Sequence, residues 1–312
     1  MRALVTGVTG QDGWYLADLL TGRGDEVFGF VAPGEETNLP PRVTPLMGDL
    51  RNADSIRAAL EGSAPDQVYN LAAVSSVAVS WRDPELVADV NGVGVLRLLN
   101  ALRDSETETG RRTRFVQASS AEIFGAAAAP QNEETPIAPL TPYGAAKAFA
   151  HHCVGVYRAA GMWASNVILF NHESPRRPPE FVTRKITQAV SRIAAGGTER
   201  LSLGNLDARR DWGYALDYVT AMTMVAAQED PDDFVIATGV SHSIADFVAA
   251  AFARVGITDW RAWVESDSTL RRSTDAAEQR GDASRAREIL GWEPSVDFDG
   301  LVTLMVDADL IR

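Results

Sequence analysis

Tyr143 and Lys147 stand four residues apart in Pro142-Tyr143-Gly144-Ala145-Ala146-Lys147, which puts a phenol and an ammonium on one face if the segment is helical. An ammonium beside a phenol stabilises the phenolate. The pair is therefore expected to lower the tyrosine from its usual value of about 10 toward working pH, making Tyr143 a general base for a hydroxyl that loses hydride. Upstream, Ser119-Ser120-Ala121-Glu122 closes a strand-like segment. Ser120 offers a hydroxyl to the reacting oxygen, and Glu122 a carboxylate just past the strand end. Simple alcohol oxidation has no use for that carboxylate. Elimination of water next to a ketone does: the ketone acidifies the neighbouring C–H, a base removes that proton, and an acid helps the hydroxyl leave. Taken singly, a Tyr/Lys pair reads equally as a solvated helix pair and Glu122 as a loop acid. Lys147 and Lys185 are, however, the only lysines among 29 Lys and Arg residues. Arginine does not replace lysine where a compact or titratable ammonium is needed.

The second chemical signal is Thr6-Gly7-Val8-Thr9-Gly10-Gln11-Asp12-Gly13, directly after a strand-like Arg2–Thr6. Gly7 allows the tight turn, Gly10 lets backbone amides approach a pyrophosphate, and Gly13 lets the following helix pack on the strand; Gln11 and Asp12 open that helix. Strand, glycine loop and helix in this order are the context a dinucleotide site requires. The second strand ends in Phe30-Val31-Ala32-Pro33, with Glu35 and Glu36 later and Arg42 later still, so no residue at the strand end itself chooses between NAD and NADP. Asp49 is expected to accept from the adenine amino group or to cap the helix after it.

These groups need a scaffold. Strand-like patterns at 2–6, 26–31, 43–47, 67–71, 114–118 and 164–169 alternate with helical ones at 12–23, 54–61, 84–103 and 142–159. That alternation predicts an α/β, doubly wound parallel Rossmann sheet, with ligands at the carboxyl ends of its strands. Residues 1–170 are expected to form the dinucleotide-binding domain, with 211–237 returning to it. Residues 171–312 are expected to form a smaller substrate domain with helices at 182–195, 215–228, 244–255 and 283–290 and strands at 201–203, 234–237 and 261–264. Asp282 is expected to cap the helix at 283.

The 312 residues carry a net charge of −13, which argues against general nucleic-acid binding but leaves room for a local cationic pocket. No run of about 20 apolar residues is present, so no membrane span is expected, and a cytoplasmic location is. One cysteine, Cys153, excludes an internal disulfide and a cysteine zinc cluster. Adjacent residues of a helix do not converge, so His151-His152-Cys153 is not expected to bind metal.

With these residues in view, the chain resembles the GDP-mannose 4,6-dehydratase family of the extended short-chain dehydrogenase/reductase superfamily over nearly its whole length. The matching segments are 6–13, 69–73, 117–122, 142–147, 170–177, 182–185, 204–207, 210–213 and 281–282. The resemblance implies a redox-neutral lyase that turns GDP-mannose into GDP-4-keto-6-deoxy-mannose. Tyr143 takes the O4 proton, Lys147 tunes Tyr143 and holds the nicotinamide ribose, Ser120 polarises O4, and Glu122 removes the C5 proton and assists loss of water from C6. Leu50, Leu71, Ala72 and Ala73 are implied cofactor contacts. Ser75, Asn171, Val182, Lys185, Gly204, Asn205, Arg210, Arg272 and Asp275 are implied contacts of the GDP-sugar.

The chain departs from the family at three places. Ala32-Pro33 replaces paired arginines and the loop after them is shorter, which leaves both NADP and NAD open and favours a homodimer over a tetramer. Val74 and Ser76 replace a glutamine and a histidine, and Ser273 follows Arg272 where the family has proline. The helices at 84–103 and 142–159 resemble the pair that forms the superfamily's dimer interface. A 4-keto sugar-nucleotide reductase or epimerase would share Tyr143, Lys147 and the glycine loop. A non-catalytic nucleotide-sensing protein would be expected to have lost at least one of Ser120, Glu122, Tyr143 and Lys147.

Overall fold

The computed structural model describes residues 1–35, 38–270 and 276–311. In chain order the first half holds β1 (Arg2–Thr6), α1 (Gln11–Gly22), β2 (Glu26–Val31), β3 (Val43–Met47), α2 (Ala53–Ser63), β4 (Gln67–Asn70), α3 (Val77–Arg82), α4 (Pro84–Ala88), α5 (Gly94–Thr109), β5 (Arg114–Ser120), α6 (Pro142–Ala159) and β6 (Ala164–Leu169). The second half holds β7 (Asn171–Glu173), α7 (Val182–Ala194), β8 (Leu201–Leu203), β9 (Arg209–Tyr214), α8 (Ala215–Ala226), β10 (Phe234–Ile236), β11 (Ser241–Ser243), α9 (Ile244–Arg254), β12 (Val264–Ser266), β13 (Glu278–Gln279) and α10 (Phe298–Leu310).

Seven strands form one sheet in the order β10-β6-β5-β4-β1-β2-β3, and every pairing is parallel. Central strands such as β6 are buried at every residue, as a sheet covered by helices on both faces requires. The chain winds outward from β1 in one direction, then from β4 in the other, so the crevice that receives ligands lies above the β1/β4 boundary. Thr6 closes that boundary. Its hydroxyl donates to Asn70 Oδ1 at 2.6 Å and accepts from the amides of Leu71 and Ala72 at 3.1 and 3.0 Å.

Two smaller sheets, β11-β9-β13 with β7 on β9 and β12-β8, stand beside the large one. They pack with α7, α9 and α10 on a second apolar core that includes Ile186, Val190, Phe247, Phe252, Leu301 and Met305. A buried ion pair, Arg184 to Asp309 at 2.8 Å, ties α7 to the C-terminal helix.

Several expected elements differ. The single helix at 84–103 is α4 and α5 joined by a π-helical turn over Asp89–Val93, and it continues to Thr109. Asn91, inside that turn, bonds the backbone of Val74 in both directions (2.8 and 3.0 Å), an anchor to the loop after β4 that a uniform helix would not present. The strand at 261–264 is instead a 3-10 turn over Trp260–Trp263, and the pairing with β8 starts at Val264. The helix near 283 ends in a π-helical turn, Ala286–Leu290, and Asp282 accepts from the Ser284 amide at 3.0 Å.

Candidate active site

α6 begins where chemistry requires it. The Thr141 side chain caps it by accepting from the Gly144 amide at 3.0 Å, and Pro142 occupies the first turn. Residue 144 has to be glycine, because a Cβ there would lie 2.6 Å from the Glu122 carbonyl oxygen. The helix thus lies directly on the 3-10 turn Ala121–Phe124 that leaves β5, and Tyr143 meets Ser120 and Glu122 in one cavity of about 640 Å³. Leu71, Ala73 and Ser75 line it from the loop after β4, and Asp12 from the start of α1. Asn171, Val182, Lys185, Gly204, Asn205 and Arg210 line it from the second half.

Burial governs the titration of the central pair. It pushes the Tyr143 phenol up to about 12, against a hydrogen bond from Ser120; Glu122 adds to the rise, and Arg177 opposes it. Burial likewise pulls the Lys147 ammonium down to about 8, with Asp12 opposing. The expected lowering of Tyr143 by Lys147 is therefore not what this fold produces by itself. The Lys147 ammonium donates to the Ala118 carbonyl at 2.8 Å and lies 5.9 Å from the phenol ring centre, and burial of the phenol dominates its titration.

The glycine loop fits a dinucleotide. Gly7 adopts φ +65°, and a Cβ there would lie 2.7 Å from the Ala72 amide nitrogen, so the turn is open only to glycine. Gly10 caps α1 without a side-chain bond, which leaves the first-turn amides for phosphate oxygens. The one acid of that turn, Asp12, is neutralised by His172: Nε2 reaches its Oδ2 at 2.8 Å, while Nδ1 donates to the Phe170 carbonyl at 2.7 Å. Burial alone would raise the Asp12 carboxyl and lower the imidazole, but their mutual attraction reverses both shifts. Gln11 completes the link by donating to Asp12 and to the His172 carbonyl, both at 3.1 Å, and accepting from Ser174 at 2.8 Å.

The other expected contacts are placed as follows. Gly7, Gly10, Gln11, Gly13 and Ala72 cluster at the carboxyl ends of β1 and β4 beside the cavity. The Asp49 carboxylate is held in two-pronged contact by Arg51 (3.0 and 2.6 Å) rather than capping α2, whose cap is Asn52. The Leu50 side chain is buried in the core, so it offers the site only backbone. Lys185 donates to the Ser202 carbonyl at 2.7 Å, and Arg210 to the carbonyls of Arg209 and Ala276 at 2.8 and 2.9 Å. Arg272 and Asp275 lie outside the described residues, as does Glu36.

Gln279 and Arg177 are among the cavity residues that sequence reasoning did not assign to the site. Gln279, on the two-residue strand β13, donates to Glu122 at 3.1 Å. Arg177 pairs with Glu173 at 3.1 Å and stacks 3.6 Å over the Phe181 ring. Arg177 closes a segment already singled out, whereas nothing local marks Gln279.

Comparison with known proteins agrees with this geometry. The family model described as GDP-mannose 4,6 dehydratase matches residues 4–305. GDP-mannose 4,6 dehydratase 1 of Arabidopsis thaliana is 47% identical over 323 residues, covering 99% of this chain and 89% of that protein. The Homo sapiens GDP-mannose 4,6 dehydratase is 41% identical, covering 99% and 91%. Among solved structures, UDP-glucose 4-epimerase of Thermus thermophilus in complex with NAD superposes with a TM-score of 0.86 at 28% identity, covering 99% of both chains. On the family match and these identities, the chain belongs to the GDP-mannose 4,6-dehydratase family.

Proposed function

We propose that the chain is a nucleotide-sugar 4,6-dehydratase, a lyase that converts GDP-mannose to GDP-4-keto-6-deoxy-mannose with bound NAD or NADP. The observation that carries this reading is the placement of Glu122 in one cavity with Ser120 and Tyr143, beside the glycine loop. A nicotinamide dinucleotide held at the Gly7–Gly13 loop would supply a hydride store, able to take hydride from C4 of the sugar and return it to C6. Ser120 orients the 4-hydroxyl, and Tyr143 takes its proton as C4 becomes a carbonyl. Lys147 keeps a cation beneath the site for the phenolate. Glu122 then removes the C5 proton and passes it to the departing C6 hydroxyl, which leaves as water. The proton held by Tyr143 returns at C5, so the sugar loses one water and no net electrons.

In this reading residues 1–170, with 211–237, carry the dinucleotide, and 171–312 the GDP-sugar. Asn171, Lys185 and Arg210 face the same cavity and supply the amide and cations suited to a diphosphate; Arg272, outside the described residues, is proposed as a further cation for it. A homodimer is supported by Phe149 and Val156 on α6, which are 44% and 65% exposed. Among the described residues no helix is long and apolar enough to cross a membrane. Both ligands are polyanions that do not cross bilayers unaided, which supports a cytoplasmic location. The test is incubation with GDP-mannose and NAD⁺ or NADP⁺, followed by mass spectrometry. Loss of one water without net cofactor reduction is expected. Turnover of a 4-keto sugar nucleotide with net oxidation of NADPH, and none of GDP-mannose, would make the chain a reductase.

A further inference from the structure

The turn after β2 carries a charge that the strand end lacks. Gly34 takes φ +94°, the Glu35 amide donates to the Ala32 carbonyl at 3.1 Å, and the Asn38 amide donates to the Glu35 carbonyl at 3.1 Å. The turn over residues 32–35 brings Glu35 to the glycine loop, where the Thr9 hydroxyl donates to Glu35 Oε2 at 3.2 Å. Thr9 lies between Gly7 and Gly10, so the carboxylate sits at the edge of the phosphate-binding loop facing the end of β2. In a doubly wound fold that edge belongs to the adenosine ribose. We propose that Glu35 is the residue that selects the dinucleotide, and that it selects NAD over NADP.

The chemistry is one of charge. A carboxylate accepts hydrogen bonds from the ribose 2′- and 3′-hydroxyls. A 2′-phosphate adds a charge of about −1.5 to −2 at the same place, and like charges brought together in a binding site are rejected. Nothing immediately after β2 offsets this, because Ala32 and Pro33 occupy the first positions of the turn. The arginine that follows β3, Arg51, is already held by the Asp49 carboxylate through Nε and Nη2. Glu35 does from the far side of the turn what a residue at the strand end does elsewhere, which is why strand-end reading leaves the choice open.

The inference rests on the dinucleotide reading of the glycine loop, and direct binding separates the two. NAD⁺ and NADP⁺ are titrated calorimetrically into the full chain, its Glu35→Gln and Glu35→Ala variants, and each again at raised salt. Nucleotide carried through purification is released by denaturation and identified by mass. Glu35 is exposed, so both variants are expected to fold, and circular dichroism verifies it. The wild type is expected to bind NAD⁺ at least about tenfold more tightly than NADP⁺, with the margin shrinking as salt rises. Both variants are expected to bring the ratio toward unity, chiefly by tightening NADP⁺. A wild type that binds NADP⁺ as tightly as NAD⁺, or a margin that survives in both variants, overturns the assignment. Folded protein that binds neither dinucleotide overturns the reading of the glycine loop and this inference with it.

Discussion

Gln279 donates from Nε2 to Oε1 of Glu122 at 3.1 Å, across 157 residues of chain. The amide comes from β13, whose register sets Gln279 against Arg210 on β9, and the carboxylate from the turn that ends β5. One hydrogen bond therefore connects the strand paired beside Arg210, a proposed diphosphate contact, to the group proposed to break the C5–H bond. Gln279 is 3% exposed and lines the cavity.

Gln279→Leu is expected to lower kcat about tenfold or more while KM for the nucleotide sugar stays within about twofold, since hydrogen bonds to charged groups contribute about 1.5–3 kcal/mol. Gln279→Glu, which sets a second carboxylate against Glu122, is expected to be worse. Steady-state kinetics of both variants measures this. An equal rise in KM with unchanged kcat would make Gln279 a substrate-binding residue instead.

Glu122→Gln is expected to split the reaction. The nicotinamide should be reduced once, as Tyr143 and Ser120 are intact, and no water should leave the sugar. Stopped-flow absorbance of the nicotinamide together with mass analysis of the quenched sugar follows the two halves. Tyr143→Phe should lose both halves, with a fall of about 10²–10⁴-fold typical of a removed proton-transfer group.

Lys147 leaves a signature in stability. Its folded value of about 8 lies below the ordinary 10.5. Between these values the unfolded chain holds a proton that the folded chain does not. Stability of the dinucleotide-free protein should therefore rise with pH across that window, by up to about 1.4 kcal/mol per pH unit from this group. Urea unfolding of wild type and Lys147→Met from pH 7.5 to 10 should show the rise only in the wild type. Tyr143 acts in the opposite sense: its value is raised from 10.0 to about 12, so its contribution is full below 10 and lost above.

His172 and Asp12 hold the start of α1 to β7. His172 is raised above 6.5, so its contribution is complete below that and lost as pH rises through the folded value. Asp12 is lowered below 3.8, so its contribution is present above that and lost as pH falls through the folded value. His172→Gln should cost about 1–3 kcal/mol, the range for losing a part-buried hydrogen bond to a charged group, and should weaken dinucleotide binding by leaving Asp12 unneutralised near the phosphate amides. Melting temperatures across pH 4–8, with and without dinucleotide, test both parts.

Local pattern determined a great deal. The bounds of β1, β2, β3, β6 and α6 are those the residues predict, because apolar period, the Thr141 cap and Pro142 are properties of adjacent residues. Tyr143 and Lys147 fall on one helical face by spacing alone, and Gly7 marks a turn that excludes every other residue. What lay outside sequence reasoning is non-local. The helix at 84–103 is broken where Asn91 reaches the backbone of Val74, and β13 exists only because β9 pairs with it. Glu122 meets Gln279, Asp12 meets His172, and Glu35 meets Thr9 because separate elements converge on the carboxyl edge of the sheet. The titration of Tyr143 in the dinucleotide-free fold is non-local for the same reason. Spacing places an ammonium near a phenol, but the removal of water around both, which sets their protonation, is a product of the folded whole.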